Sequence, residues 1–275
     1  MRPASPLLAA AALAALAPAA ARAQWWGGGE KVERNVFVWD GDVPAGGRVT
    51  VRSLNGGVTV EPSPDGRVHV RADRRSSGGA DPGQVRFVQL RAADGQGVVV
   101  CALFGPDASC DASGTYRGGN SGSLWRRGSV SAQFALQVPA TTRLDLATTN
   151  GGVDVRGAGA DVLAATTNGG IRVEGAGGPV RARTTNGGVD VRLTALGGGR
   201  DYDLETTNGG VSLTVPASLG AEVDMATTNG GVHTDFPVTV QGRVDPRRLH
   251  ATIGDGSRRV RLRTTNGGVS LRRGS

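Results

Sequence analysis

A six-residue unit, Thr-Thr-Asn-Gly-Gly-Val, recurs along this 275-residue chain and constrains its fold more than any other feature. The unit begins at Thr148, Thr166 (where Ile replaces Val), Thr184, Thr206, Thr227 and Thr264. A degenerate copy, SLNGGV, begins at Ser53. A catalytic loop is needed only once in a chain, whereas a stacked architecture needs one corner for each repeat. The repetition therefore indicates architecture.

The asparagines of these units follow one another at nearly constant steps. They are Asn55, Asn150, Asn168, Asn186, Asn208, Asn229 and Asn266, so that the steps after Asn150 are 18, 18, 22, 21 and 37 residues. A period of about 20 residues is typical of a solenoid. The sequence therefore predicts an all-β chain that folds as a single-stranded β-helix, or β-solenoid, with coils of about 18–22 residues.

Apolar residues alternate with polar ones on both sides of each asparagine. Val180 and Ala182 precede Asn186 at alternate positions, and Val189 and Val191 follow it. A period of two residues is that of a half-buried strand, and a helical period does not fit. Each unit is therefore predicted to be strand, tight turn, strand. A meander of ordinary hairpins is the competing architecture, because Asn-Gly is also a typical hairpin turn.

The Asn-Gly-Gly corner has a local explanation. Asparagine tolerates the left-handed backbone region, and glycine enters it without steric cost. In stacked coils the seven asparagines are expected to form a hydrogen-bonded ladder, and the threonines before them a second ladder. The turn glycines are Gly151, Gly152, Gly169, Gly170, Gly187, Gly188, Gly209, Gly210, Gly230, Gly231, Gly267 and Gly268.

Charged residues at the outward positions favour parallel stacking in register. Four residues after successive asparagines the chain has Asp154, Arg172 and Asp190. Stacked strands lie about 4.8 Å apart, so these opposite charges would attract one another along the stack. Asp203 and Asp224 are expected to be an exception, because they place like charges on coils that follow each other in the chain.

The chain divides into three regions. Residues 1–23 are predicted to be a secretory signal peptide, because a run of Leu and Ala follows Arg2 and small residues precede the cleavage position. Residues 24–142 are a less regular, β-rich N-terminal part with one degenerate repeat, which we expect to cap the first coil. Residues 143–275 are the TTNGG-repeat solenoid. The 37-residue step before Asn266 predicts a hairpin or an extra degenerate coil.

The apolar run at residues 7–17 is too short to span a membrane as a helix, and no later segment is apolar enough to do so. We therefore expect an exported protein, periplasmic, secreted or associated with the cell surface, with no transmembrane segment once the signal peptide is removed. Cys101 and Cys110 are predicted to form one disulfide, because such compartments are oxidising.

The chain is basic, with 31 Lys and Arg against 24 Asp and Glu and a formal net charge of +7. A basic surface can attract anionic glycans, lipid headgroups or nucleic acid. For an exported protein, the expected partners are cell-surface glycans or other envelope components, and no specific nucleic acid. A soluble surface without an anionic partner is the alternative. No cofactor is expected.

Residues that could carry catalysis or bind metal are scattered along the chain. His69, His233 and His250 lie far apart in unrelated contexts, and a metal or catalytic site needs clustered groups. The GGNSGS stretch around Ser121 lacks the last glycine of a nucleophile elbow. Carboxylates such as Asp190 are expected beside arginines, which indicates inter-coil ion pairs and not the paired acids of a glycosidase. No catalytic or metal-binding residue is therefore predicted.

One aromatic residue has a neighbourhood that suits a ligand. Trp125 adjoins Arg126 and Arg127, a combination that could stack on a sugar and hold an anion. Packing of Trp125 on the first coil, as part of the cap, is the favoured alternative.

Three stretches resemble a known family. They are VPATTRLDLATTNGGVDV from Val138, the repeated TTNGG units, and LHATIGDGSRRVRLRTTNGGVSL from Leu249. Together they resemble the bacterial putative-adhesin family of β-strand-repeat proteins, a domain of unknown function found in exported or envelope proteins. The resemblance implies an all-β, solenoid-like fold and transfers no catalytic or binding residue.

These features favour an exported, non-enzymatic β-solenoid that acts as an adhesin or as an envelope or surface interaction protein. Its flat stacked faces would be the binding surface. A polysaccharide-active β-helix enzyme and a basic module that binds anionic glycans are the alternatives.

Overall fold

The computed structural model describes residues 30–33, 35–118, 128–196, 201–238 and 245–274. In these residues the chain forms two large sheets, of eleven and ten strands, and a two-stranded ribbon. A 3-10 turn occupies Pro82–Gln84.

The strands, in chain order, are β1 (Glu30–Glu33), β2 (Val36–Gly41), β3 (Arg48–Arg52), β4 (Val58–Pro62), β5 (Val68–Ser77), β6 (Val85–Arg91), β7 (Gly97–Phe104), β8 (Ser109–Cys110), β9 (Tyr116–Arg117), β10 (Ser129–Val138), β11 (Arg143–Ala147), β12 (Val153–Arg156), β13 (Val162–Ala165), β14 (Ile171–Glu174), β15 (Val180–Asn186), β16 (Val189–Arg192), β17 (Asp201–Asn208), β18 (Val211–Val215), β19 (Ala221–Asn229), β20 (Val232–Thr234), β21 (Arg248–Ile253), β22 (Arg258–Asn266) and β23 (Val269–Arg273).

Each repeat contributes one strand to each large sheet. Sheet A has the spatial order β1-β2-β5-β10-β4-β12-β14-β16-β18-β23-β20, and sheet B has the order β21-β19-β22-β17-β15-β13-β11-β3-β7-β6. The strand before each asparagine lies in sheet B, and the strand after the two glycines lies in sheet A. Because the strands that flank each corner lie in different sheets, the repeats are coils and not hairpins. The predicted all-β solenoid is confirmed, and the hairpin meander is excluded.

Neighbouring coils stack in parallel with equivalent residues aligned. β15 pairs with β17 so that Asn186 faces Asn208, and β14 pairs with β16 so that Arg172 faces Asp190. Asp154 faces Arg172 from the other side. The alternation of charge along this part of sheet A is therefore present as the sequence predicts.

The core lies between the two sheets and consists mainly of aliphatic side chains. In strands β15 and β16, the inward aliphatic residues are at most 1 % exposed; they are Val180, Ala182, Val189 and Val191. A short coil leaves a narrow space between the sheets, and branched aliphatic residues and alanine fill it. The alternating pattern of the sequence thus supplies the core directly.

The C-terminal coil does not stack on the coil that precedes it in the chain. β22 lies between β17 and β19, and β23 lies between β18 and β20. Arg261 is therefore aligned with Asp203 on one side and with Asp224 on the other. The expected like-charge contact between Asp203 and Asp224 was wrong, because it assumed that coils stack in chain order.

The long step before Asn266 holds an edge strand. β21 lies antiparallel to β19 at the end of sheet B, and the chain then turns through Gly254 and Gly256, which have positive φ, into β22. In the described part of this step, the chain forms neither a hairpin of its own nor an extra coil, contrary to expectation. β21 instead covers the outer edge of β19, which would otherwise present unpaired backbone groups.

The N-terminal part continues both sheets beyond the repeats. The degenerate repeat, β3 and β4, lies between β7 and β11 in sheet B and between β10 and β12 in sheet A. The coil formed by β7 and β10 is thus the outer one, although it follows β3 and β4 in the chain. Antiparallel strands then complete each sheet: β5, β2 and β1 extend sheet A, and β6 ends sheet B.

An aromatic cluster fills the core at this end of the stack. The ring centroids of Phe37 and Phe87 are 5.3 Å apart, and those of Phe87 and Phe134 are 5.9 Å apart. The predicted boundary at residues 142 and 143 falls between β10 and β11, and the same two sheets continue on both sides of it.

Several predicted features lie outside the described residues. They are the signal peptide at residues 1–23, Ser121, and Trp125 with its neighbours Arg126 and Arg127. Where the structure does describe the chain, it contains no helix with the length and apolar character needed to cross a membrane.

Candidate functional site

The asparagine of each TTNGG unit lies at the corner between the two sheets and bonds to its counterpart in the next coil. Nδ2 of one side chain donates to Oδ1 of its neighbour at 2.7–2.8 Å. The ladder runs in spatial order through Asn150, Asn168, Asn186, Asn208, Asn266 and Asn229. In the degenerate repeat, Nδ2 of Asn55 donates to the backbone carbonyl of Val130 at 2.7 Å. The ladder therefore follows the spatial order of the coils and not the chain order.

The first threonine of each unit points into the core and bonds to the backbone of the neighbouring coil. Thr184 is 6 % exposed, and its Oγ1 donates to the carbonyl oxygen of Gly169 at 2.9 Å. Thr206 donates in the same way to Gly187 at 2.8 Å, and the other four units repeat the contact. The expected ladder of hydroxyls bonded to one another was wrong, because a backbone carbonyl accepts from each hydroxyl.

The two glycines of the corner serve different purposes. A Cβ on Gly187, whose φ is +153°, would overlap the carbonyl oxygen of Gly169 in the neighbouring coil. A Cβ on Gly188 would lie 3.5 Å from the carbonyl oxygen of Gly210, which is an ordinary contact. No described residue other than glycine has a positive φ, so the expected left-handed conformation of asparagine was wrong. The first glycine is thus required by close packing of the coils, and the second leaves open space at the surface.

The second glycines line an open groove on the outer face of sheet A. The groove crosses five coils, is wide open to solvent and has a volume of about 740 Å³. Its glycines, in spatial order, are Gly170, Gly188, Gly210, Gly268 and Gly231. Its side chains include Ser212, Ser270, Thr214, Asp190, Arg192, Arg272 and His233. Small hydroxyl-bearing residues therefore occupy the middle of the groove, and charged residues lie around them.

The charged side chains beside the groove are largely paired. Arg192 lies 3.3 Å from an Oδ2 of Asp190 and 3.6 Å from an Oε1 of Glu174. Arg172 donates to Glu174 at 2.9 Å, and this bond raises the pKa of Arg172. Such exposed pairs each contribute only about 0–1 kcal/mol to stability. They offset the charges of Arg192 and Arg172 on this face.

One end of the groove has a second polar network. Nε2 of His233 lies 3.0 Å from Oδ1 of Asp235, and the backbone N–H of Arg273 donates to Oδ2 of Asp235 at 3.2 Å. The bond from Arg273, followed by that from His233, lowers the pKa of Asp235.

The outer face of sheet B carries ion pairs between coils. Arg183 approaches Asp203 at 3.0 Å, and Arg263 approaches Asp224 at 3.0 Å. The second pair joins the inserted C-terminal coil to the coil outside it. Asp203 and Asp224 thus each have a guanidinium partner from a neighbouring coil.

His69, in the N-terminal part, lies between two carboxylates. Its Nδ1 is 2.6 Å from Oδ1 of Asp40, and its Nε2 is 2.9 Å from Oδ1 of Asp65. Hydrogen bonds to Asp65 and then to Asp40 raise the pKa of His69, and the bond to His69 is the largest cause that lowers the pKa of Asp65. This network was not predicted from the sequence, because Asp40 lies on a strand 29 residues away from His69 and the four-residue spacing between Asp65 and His69 is a weak signal.

The three histidines do not come together. His233 lies beside Asp235, and His250 lies 3.7 Å from Glu222. Among the described residues, no group of three or more His, Cys, Asp or Glu side chains could hold a metal ion.

Cys101 on β7 and Cys110 on β8 are joined by a disulfide. The bridge lies on the outer side of sheet B, where Val99, Leu103 and Ala108 form a small buried cluster with Cys101. It fastens the ribbon of β8 and β9 to the sheet opposite to the one that carries the groove.

The chain was compared with curated proteins, with solved structures and with models of protein families. No curated protein matches the chain. Among solved structures, the chain is similar to a putative cell adhesion protein from Clostridium sporogenes ATCC 15579, with 10% identity and a TM-score of 0.49, over 90% of this chain and 100% of that chain. It is also similar to a putative adhesin from Bacteroides fragilis NCTC 9343, with 10% identity and a TM-score of 0.30, over 88% of this chain and 98% of that chain.

The family model described as Toastrack DUF4097 matches residues 48–272. This match starts at the first residue of β3 and ends within β23, so that it includes all seven asparagine corners. The resemblance found in the sequence is thereby confirmed, and the chain belongs to the Toastrack DUF4097 family, a domain of unknown function.

Proposed function

We propose that this protein is an exported, non-enzymatic surface interaction protein of the adhesin type, which binds its partner through the outer face of sheet A. The observation that carries the proposal is the groove, because one corner geometry repeated five times builds one continuous polar surface. A surface of this kind suits a long or repetitive partner, which can make the same contact at each coil. Export rests on the predicted signal peptide at residues 1–23.

The state of the carboxylates supports a non-enzymatic role. A general acid that works near neutral pH needs a raised carboxyl pKa. Four described carboxyl groups have a clearly shifted pKa, and hydrogen bonds lower it in each; they are Asp65, Asp111, Asp235 and Asp255. Asp190, the carboxylate that lines the groove, pairs with Arg192. This chemistry favours ionic and hydrogen-bonding contacts over proton transfer.

The proposal is tested by locating the protein and measuring its binding. Cell fractionation should find the mature chain in the periplasm, at the cell surface or in the medium, and the purified chain should bind to envelope preparations or to whole cells. Retention in the cytoplasm, or the absence of binding to any envelope or host surface component, would refute the proposal.

The enzymatic alternative has its own test. Reducing-sugar and lyase assays on uronate polymers and on neutral glycans should stay at background for the purified chain. Turnover that is lost when Asp190 is replaced by Asn would establish a polysaccharide-active enzyme instead.

A further inference from the structure

The second glycine of each TTNGG corner has a backbone N–H without a hydrogen-bond partner among the described residues. In a regular parallel ladder, the N–H of Gly188 would donate to the carbonyl oxygen of Gly169 in the neighbouring coil. That oxygen instead accepts from Oγ1 of Thr184 at 2.9 Å, and no other described acceptor replaces it. In each TTNGG coil, the threonine hydroxyl thus takes the place of one backbone N–H donor.

These free donors form a row along the stack. The glycines that bear them are all exposed; in spatial order they are Gly152, Gly170, Gly188, Gly210, Gly268 and Gly231. Five of the six line the groove, and only Gly152 lies outside its lining. Neighbouring coils are about 4.8 Å apart, so the five donors extend over roughly 19 Å. In the free protein, water can hydrate them.

The degenerate repeat shows which chemical group can bond to the N–H of a second glycine. Gly57 is the equivalent second glycine, and its N–H donates to a side-chain oxygen, Oε1 of Gln133, at 2.9 Å. A planar carbonyl oxygen that reaches the sheet from outside therefore fits the site. In the other coils, an oxygen of similar geometry has to come from another molecule.

The side chains of the groove match this donor row. Ser212, Ser270 and Thr214 add hydroxyls, and Arg272 adds a guanidinium, while the lining carboxylate Asp190 is already paired with Arg192. The lining contains no Phe, Tyr or Trp side chain. The groove therefore lacks the large aromatic rings on which proteins usually stack the bases of single-stranded nucleic acid. The groove instead offers hydrogen-bond donors at short, regular intervals, which suits a chain rich in acceptor oxygens.

We propose that the groove binds a linear acidic polysaccharide, whose carboxylate or sulfate oxygens accept hydrogen bonds from the glycine N–H row and from Arg272. The coil spacing is about the length of one sugar unit in an extended chain, so that successive units meet successive coils. Hydrogen bonds with an ionised acceptor are roughly twice as strong as neutral ones, which favours acidic over neutral sugars. The inference rests on the proposed function and names the partner of the same surface.

The test measures the affinity of the mature chain for polygalacturonate, dextran sulfate, neutral dextran and single-stranded oligo(dT). Polygalacturonate or dextran sulfate should bind, whereas neutral dextran and oligo(dT) should not. The polymer that binds more tightly shows whether the groove prefers carboxylate or sulfate groups. The lining has two arginines against one aspartate. Affinity should therefore fall only modestly with salt, whereas attraction to the whole basic surface would fall steeply.

Two pairs of variants locate the site. Gly210→Asp adds a carboxylate beside the donor row and should weaken binding by about tenfold or more. Gly118→Asp adds the same carboxylate at an exposed glycine beside the β8–β9 ribbon, on the side of sheet B, where a Cβ meets no atom within 4 Å, and should leave binding unchanged. Arg272→Gln should weaken binding by about fivefold, and Arg181→Gln, on the exposed face of sheet B, should not. The second pair remains decisive if Gly210→Asp unfolds the coil, which thermal unfolding would reveal.

The outcomes separate this inference from the proposed function. Parent-like binding by Gly210→Asp and Arg272→Gln, tight binding of dextran or oligo(dT), or a steep loss with salt would each overturn the inference. If neither acidic polymer binds but whole cells or envelope fractions still do, the inference fails and the proposed function stands. If nothing binds, both fail.

Discussion

The middle of the stack and its two ends differ in the order in which the coils are stacked. From the coil of β11 and β12 to that of β17 and β18, each coil lies on the one that precedes it in the chain. At both ends, a coil is instead inserted against the chain order: β3 and β4 at one end, and β22 and β23 at the other. The repeat sequence therefore encodes the shape of a coil but not its place in the stack.

Charge explains where the C-terminal coil is placed. Its outward residues Arg259 and Arg261 align with Asp201 and Asp203 of β17 on one side. On the other side they align with acidic residues of β19, and Arg261 faces Asp224 there. A stack in chain order would have set the two acidic strands side by side. Like charges directly opposite each other are unfavourable, so the inserted arginines replace repulsion by attraction on both sides.

The largest expected effect is at the close contact in the middle of the stack. Gly187→Ala places a Cβ against the carbonyl oxygen of Gly169, with coils packed on both sides, and should lower the free energy of unfolding by about 3 kcal/mol or more. Gly230→Ala makes the same overlap in the outermost coil, which can shift outward, and should cost less. Gly188→Ala is the matched control and should be close to neutral. Chemical denaturation compares the three, and equal losses for Gly187 and Gly188 would contradict the packing argument.

The insertion of the C-terminal coil is tested by charge reversal. Arg261→Glu puts a carboxylate between Asp203 and Asp224 and should destabilise the protein by roughly 1–2 kcal/mol, less at high salt. Arg261→Gln is the control for lost attraction alone. A double-mutant cycle of Arg261→Gln with Asp203→Asn sharpens the test, because residues two coils apart should not couple measurably. Zero coupling would favour a stack in chain order.

The asparagine ladder should also distinguish the middle from the end. Asn186 donates to one neighbour and accepts from another, whereas Asn229 makes one ladder bond, to Asn266. Asn186→Ala should lower the free energy of unfolding by about 1 kcal/mol, since water can reach the exposed partners, and Asn229→Ala should lower it by less. Urea denaturation measures both. If Asn186→Ala is as stable as the parent, the ladder does not hold the coils together.

The smallest effect is a pH dependence at the N-terminal end. The pKa of His69 is raised by Asp65 and Asp40. A raised pKa in the folded state means that the stabilisation is complete below the unfolded pKa of about 6.5. It is lost as pH rises through the folded pKa. Imidazole titration by NMR should show the raised pKa, and Asp65→Asn should lower it more than Asp40→Asn does. A normal pKa in the parent would contradict the network.

Much of this fold follows from local patterns. Alternation around Asn186 predicts two strands, and the constant step between asparagines predicts that they belong to stacked coils. These features depend on neighbours along the chain or on the identical neighbour one coil away, which a repeat makes visible. The order of coils at the ends is different, because TTNGG corners share one local geometry and residues outside the corner, such as the outward charges, have to distinguish the positions in the stack.

The candidate groove was less accessible to prediction than the fold. The second glycines could be recognised as turn residues, but their free N–H groups arise from a bond between Thr184 and Gly169 in another coil. The sequence analysis expected that hydroxyl to bond to another threonine. The groove also includes Ser270 beside Ser212, which only the inserted coil brings together.

The sequence by itself determined the coil: its strands, its inward aliphatic residues, its asparagine corner and its outward charges. These are fixed by a period-two backbone and by a repeat in which equivalent residues meet. Only the tertiary structure decided which coils are neighbours, which carbonyl oxygen accepts the hydrogen bond of each threonine hydroxyl, and which backbone N–H groups remain without a partner. The physical reason is that these depend on contacts between segments far apart in the chain, for which several pairings have the same local geometry. Asn208 and Asn266 are 58 residues apart, and Thr148 and Gly56 are 92 residues apart.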